Sequence, residues 1–176
     1  MQRLLVVVDM QNDFIDGALG SAEAQAILPA VAKKIETFDG EVVFTMDTHD
    51  AAYRDTQEGR LLPVAHCLAG TQGWALPTVL EGLQKQRRAK VYQKGAFGSE
   101  ALAADVKQMC IEGLKEVVLI GVCTDICVIS NAMLLKAAAP ELRVTVDAAC
   151  CAGVTPKTHQ TALDAMRQCQ IYIENE

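Results

Sequence analysis

VVLIGVCTDICV, residues 117–128, governs the reading of the whole chain. Val117–Ile120 is a short, β-branched-rich apolar run, Gly121 ends it, and a helix is expected to begin at Thr124. A buried strand feeding a helix through a tight turn is the building unit of parallel α/β sheets. The same turn puts Cys127 in the first turn of a helix. There the macrodipole and unpaired backbone N–H groups favour the thiolate, which is the nucleophilic form. Those N–H groups can also receive an oxyanion developing on an attacked carbonyl.

The same alternation repeats along the rest of the chain. Leu4–Val8, Val42–Met46, Ala89–Gln93 and Leu142–Val146 are further strand-like runs, and Ile171–Ile173 adds a short last one. Ala24–Phe38, Ser99–Glu112, Thr124–Ala138 and Thr155–Gln168 read as helices, the last with Thr155 as N-cap and Pro156 at the first helical position. The pattern predicts an α/β three-layer sandwich, with a mainly parallel central sheet of five to six strands flanked by helices in Rossmann-like fashion. Residues 1–176 read as one domain. Asp50 to Gly73 is irregular, and so long a loop in a compact domain is usually functional.

Composition narrows the partners. A net charge of −6 gives no electrostatic reason to expect nucleic acid or an anionic membrane. No apolar run reaches the roughly 18 residues needed to cross a bilayer. The start, MQRLLVVVDMQNDF, lacks a small-residue cleavage site, so no signal peptide is expected. Seven cysteines, an odd number, suit free thiols in a reducing cytoplasm.

Ligands of open parallel sheets bind at the carboxyl ends of the strands. Asp9 follows the first strand, Asp47 and His49 the second, Lys94 the third and the Cys127 turn the fourth, so these groups should converge on one rim. Each alone has a bland reading: Asp9 as a cap, Lys94 as a solvated charge, Cys127 as an inert thiol. Together they suit nucleophilic chemistry. Asp9 can take the Cys127 proton and later return it to a leaving amine. Lys94 can hold Asp9 ionised and lower the thiol pKa. Asp47 and His49, two apart on leaving a strand, point the same way and can grip one ion. With Glu58 and His66 they offer O and N donors for a divalent transition metal. By spacing alone, DTH could equally be turn chemistry.

VVVDMQNDF at 6–14, YQKGAFGS at 92–99 and GVCTDICV at 121–128 resemble the three signatures of the isochorismatase-like cysteine hydrolases, in order and spacing across nearly the whole chain. The resemblance implies a catalytic triad of Asp9, Lys94 and Cys127. It also implies a cis peptide before Cys123, which aims the Cys123 and Cys127 N–H groups into one oxyanion hole. FTMDTHD at 44–50 and LPVAHCLAGTQGW at 62–74 resemble the nicotinamidase branch. There a metal held by Asp47, His49 and His66, with Glu58 as fourth ligand, would bind a pyridine nitrogen; Zn²⁺ is expected first, with Mn²⁺ or Fe²⁺ as alternatives. Thr48 departs from that branch, which often has an aromatic residue there and a further loop histidine. Phe14, Trp74 and Phe97 are expected at the substrate, the two phenylalanines stacking on a flat ring. The implied reaction is hydrolysis of a small-molecule amide, nicotinamide to nicotinate and ammonia, by a homo-oligomer.

Three alternatives stay open from the residues. One is a related hydrolase acting on a different small amide, and another is a binding module without turnover. The third is a thiol redox protein using Cys123 and Cys127. Gln11 and Asp13 are expected to fix the first motif's loop by hydrogen bonding, His159 to be surface or core, and Cys150–Cys151 to pack just after the fifth strand.

Overall fold

A computed structural model describes residues 2–176. Six strands, β1 (Arg3–Val8), β2 (Glu41–Asp47), β3 (Lys90–Lys94), β4 (Glu116–Val122), β5 (Arg143–Ala152) and β6 (Tyr172–Glu174), form one sheet in the order β3-β2-β1-β4-β5-β6. Every pairing is parallel, so the sheet is wholly rather than mainly parallel. Alternation along β1 explains the layering. Leu4, Val6 and Val8 belong to a core shared with α5 (Glu100–Ile111), α6 (Ile129–Ala138) and α7 (Pro156–Gln168). Leu5 and Val7 face the opposite core, with α1 (Asn12–Ile15), α2 (Ala22–Thr37) and α4 (Thr78–Gln86).

The capped helices follow their sequence signals. Ser21, Ser99 and Thr155 each accept a backbone N–H in the first turn, and Thr155 with Thr158 closes a capping box ahead of Pro156. The Asp50–Gly73 stretch holds a 3₁₀ turn at Tyr53–Asp55 and α3 (Gln57–Leu61). β5 runs on to Ala152, so Cys150 and Cys151 lie within the strand and not after it.

Chain order places the site. Strand order reverses between β1 and β4, and the crevice at such a switch point is where open sheets bind ligands. Asp9 leaves β1 there and the Cys127 turn leaves β4. Gly121 lets the two approach: its φ is +115°, and a Cβ at that position would lie 2.1 Å from the Val8 carbonyl oxygen.

Candidate active site

Asp9, Lys94 and Cys127 are buried together. Asp9 sits at φ +47°, a left-handed conformation that Asp tolerates better than most residues, and this turns its carboxylate beneath the β4 turn. Its Oδ1 accepts from Thr45 Oγ1 at 2.6 Å, and its Oδ2 is 2.6 Å from Lys94 Nζ. The buried Lys94 ammonium thus pairs with one Asp9 oxygen and the Thr45 hydroxyl with the other. Lys94 Nζ also lies 3.6 Å from Cys127 Sγ and 3.6 Å from Asp47 Oδ1, so one ammonium joins the acid, the thiol and the neighbouring cluster.

Burial pushes the Asp9 carboxyl above its ordinary value, with the Lys94 ammonium opposing. Burial disfavours the Lys94 charge too, but Asp9, Cys127 and Asp47 outweigh it and hold Lys94 above the usual lysine value. The Cys127 thiol corrects the sequence expectation. Burial first, then the Asp9 charge, hold it well above an ordinary thiol, and Lys94 only partly compensates. Burial beside Asp9 thus favours the neutral thiol of Cys127 over the thiolate.

Cys127 lies in a π-helical turn, Thr124–Val128, whose wide spacing appears in the Val128 N–H donating to Cys123 O at 3.0 Å. The Val122–Cys123 peptide is cis. Thr124 Oγ1 and His159 Nδ1 are 2.8 Å apart, so the half-buried His159 ties α7 to the turn.

The second cluster comes together from the end of β2 and the long loop. Potential ligand atoms of Asp47, His49, Glu58 and His66 all lie within 4.8 Å of one another. His49 Nε2 is 2.9 Å from Asp47 Oδ2 and 3.7 Å from Glu58 Oε1. His66 Nε2 is 3.4 Å from Asp47 Oδ2 and 3.7 Å from the same Glu58 oxygen. Ligands about 2.0–2.1 Å from a tetrahedral ion stand roughly 3.3 Å apart, so three of these spacings are close to closing on a metal, and the fourth is a hydrogen bond. His66 Nδ1 donates to Val64 O at 2.9 Å when Nε2 carries the lone pair facing the cluster, as metal-binding histidines require. The donor set and spacing fit a divalent transition metal.

The first motif builds this cluster's backbone. Gln11 Nε2 donates to Asp47 O at 2.8 Å and to Trp74 O at 2.9 Å, while its Oε1 accepts from Asp47 N–H at 2.7 Å. Asp13 accepts from Cys67 N–H at 2.8 Å, beside His66, and packs so tightly on Gly73 that a Cβ there would fall 2.2 Å from its carboxylate.

A cavity of about 290 Å³ opens over both clusters. Phe14 and Phe97 line it, as do Cys123, Cys127, Asp47, Glu58 and His66. Trp74 does not: its indole N–H is turned to Thr48 Oγ1 at 2.9 Å, which pins the Asp47–His49 turn and corrects its expected place at the substrate. Two further residues carry no sequence signal: Tyr53, whose ring packs 4.7 Å from His49 and 5.0 Å from His66, and buried Asn131, hydrogen-bonded to Cys127 O.

Fold and site together define the class, a hydrolase built on a Rossmann-like parallel sheet. More narrowly, the chain belongs to the isochorismatase family, whose domain is matched over residues 3–175. It is similar to a nicotinamidase/pyrazinamidase of Mycobacterium tuberculosis, 29% identical over 186 aligned positions covering 96% of each chain. The solved structure of nicotinamidase/pyrazinamidase PncA from Bacillus subtilis superposes with a TM-score of 0.84 at 26% identity, covering 99% of this chain and 100% of that one. Pyrazinamidase of Pyrococcus horikoshii in complex with zinc superposes with a TM-score of 0.80 at 27% identity over 100% of both chains.

Proposed function

We propose that this chain is a metal-dependent nicotinamidase that hydrolyses nicotinamide to nicotinate and ammonia through a thioester on Cys127. The observation that carries the reading is the position of Asp47. One of its oxygens is 3.6 Å from the triad lysine and the other 2.9 Å from His49, so a single carboxylate joins the triad to the metal ligands. The names of the similar proteins support the substrate, and the zinc complex of the Pyrococcus enzyme supports Zn²⁺ ahead of Mn²⁺ or Fe²⁺.

Phe14 and Phe97 hold the flat ring between them, and the apolar walls exclude water. Asp9 takes the Cys127 proton as Sγ bonds to the carboxamide carbon. The backbone N–H groups of Cys123 and Cys127 receive the oxyanion. The C–N bond then breaks, Asp9 passes its proton to the leaving nitrogen, and ammonia departs. Asp9 next accepts a proton from water as it attacks the thioester, and returns that proton to the departing Cys127 sulfur. Lys94 stays protonated throughout and keeps the two acids from repelling each other. Asp47, His49, Glu58 and His66 would hold the metal, which when bound supplies a Lewis-acid anchor for the ring nitrogen. Seven unbridged cysteines support a cytoplasmic setting, and exposed Leu61, Val79, Ile111 and Tyr172 support self-association.

The reaction is checked by ammonia release from nicotinamide. Activity that chelation suppresses and Zn²⁺, Mn²⁺ or Fe²⁺ restores is expected. No release with any of the three metals would overturn the substrate assignment.

A further inference from the structure

Behind the nucleophile, on the side away from the cavity, sits a buried amide that the reaction does not use. Asn131 projects from α6 and is 1% exposed. Its Nδ2 donates to Cys127 O at 2.8 Å and to Phe97 O at 3.3 Å, and its Oδ1 accepts from Ser99 N–H at 3.0 Å. Both amide hydrogens and the carbonyl oxygen are therefore occupied, leaving the side chain one orientation. Two of the three partners flank the site: the carbonyl of the nucleophile itself, and the carbonyl of the aromatic residue that walls the cavity.

The local backbone explains why such a brace is useful. Cys127 lies where the chain widens into a π turn before narrowing to the α-helical spacing of α6. At such a junction carbonyls fall out of step with the ladder, and the Asn131 amide supplies Cys127 O with a donor from the side. The Phe97 loop needs an anchor because Phe97 is itself half exposed. Gly98 meets α6 so closely that a Cβ there would stand 2.4 Å from Leu134 Cδ1. Asn131 is thus the one side chain hydrogen-bonded to both the nucleophile's turn and the substrate wall, among the described residues.

We infer that Asn131 is a positioning residue. It sets the Cys127 turn through one arm and the Phe97 wall through the other, and couples attack to ring binding. The inference rests on Cys127 being the nucleophile.

Three substitutions separate the arms. Asn131→Ala removes both, and should lower kcat/KM by about 10²-fold, the scale on which small misplacements of reacting groups act. Asn131→Thr keeps a hydroxyl able to bond the carbonyl four residues back, Cys127 O, but cannot reach Phe97 O and Ser99 N. It should recover kcat to within about threefold of wild type while KM stays raised. Asn131→Asp keeps the acceptor for Ser99 but sets a carboxylate against two carbonyls, and should lose kcat as the alanine variant does.

The readouts are kcat and KM with nicotinamide, thermal midpoint, and the rate of Cys127 alkylation by iodoacetamide followed on its peptide by mass spectrometry. Alkylation reports on the sulfur without reference to any substrate. A slowed rate in Asn131→Ala that Asn131→Thr restores is expected. A lowered thermal midpoint with kcat, KM and alkylation unchanged in the folded variants would reduce Asn131 to a structural brace. A threonine variant no better in kcat than alanine would overturn the two-arm assignment. Cys127→Ala is run alongside. Full hydrolysis by that variant would sink the nucleophile and this inference together, whereas its loss beside an unaffected Asn131→Ala would sink the inference alone.

Discussion

Gln11 links the first motif to the metal cluster, and removing it has a consequence that can be worked from the contacts. Its side-chain amide is fully buried and pairs with both the N–H and the C=O of Asp47, much as a neighbouring strand would, and with Trp74 O. Gln11→Ala deletes three hydrogen bonds and leaves Asp47 N–H, Asp47 O and Trp74 O without those partners. At about 1 kcal/mol net for each, the fold should lose about 3 kcal/mol. For a domain of this size that lowers the melting temperature by roughly 6–12 °C. The second effect is functional. Asp47 contributes an oxygen to every close histidine contact of the cluster, so freeing its backbone should weaken metal binding by about 10–100-fold, as loss of a group that orients a ligand does elsewhere. Both quantities are measurable on one preparation, by calorimetric unfolding of the metal-free protein and by Zn²⁺ competition with a chromophoric chelator. Gln11→Glu should resemble alanine in metal affinity, because a carboxylate faces two carbonyl oxygens. A drop in melting temperature with Zn²⁺ affinity unchanged would mean that the ligand geometry does not depend on Gln11.

Two other changes bear on stability away from the site. Arg88 ends α4 in the left-handed region, φ +49°, with its N–H donating to Lys85 O. That conformation costs a non-glycine residue about 1–2 kcal/mol, offset by about 0.5–1 kcal/mol of extra chain freedom in glycine, so Arg88→Gly should stabilise by about 0.5–1 kcal/mol in denaturant titrations. A destabilised variant would show that the Arg88 side chain contributes more than its backbone strain. At Glu116, burial pushes the carboxyl up, but Arg3 at 2.7 Å, Arg143 at 3.1 Å and Thr145 at 3.2 Å outweigh it and hold it below the ordinary range. A depressed carboxyl contributes stability that is present above its unfolded value, about 4.3, and is lost as pH falls through the folded one. Glu116→Gln should therefore cost about 1 kcal/mol at neutral pH, kept small because both arginines are more than a third exposed, and almost nothing near pH 3. A difference that persists unchanged at acid pH would place the effect elsewhere.

Much of this molecule can be read from its sequence because a parallel sheet turns chain order into place. A residue at or just past the end of each strand must lie on the same rim, so Asp9, Asp47, His49, Lys94 and Cys127 could be grouped without coordinates. Other features rest on interactions that leave no local mark. α4 escapes notice because Pro77 caps it without a side-chain hydrogen bond and Gly82 breaks its apolar pattern. β5 outruns its expected end because Ala148, Cys150, Cys151 and Ala152 are small residues buried by the sheet and not β-branched strand formers. Trp74 is adjacent to the motif in sequence, yet one hydrogen bond to Thr48 decides where its ring goes. Asn131 works through backbone atoms 4, 32 and 34 residues away, which composition and periodicity do not register. The thiolate expected of Cys127 rests on the helix terminus and on Lys94, and burial beside Asp9 outweighs the lysine.

The central claim is a covalent intermediate on Cys127. It is met most directly by mixing metal-loaded enzyme with nicotinamide, quenching in acid within the first turnovers, and mapping the cysteine peptides by mass spectrometry. One nicotinoyl group on the Cys127 peptide, absent from Cys127→Ala, is the predicted result. Turnover of nicotinamide with that peptide unmodified at every quench time, or the adduct on any other cysteine, would contradict it.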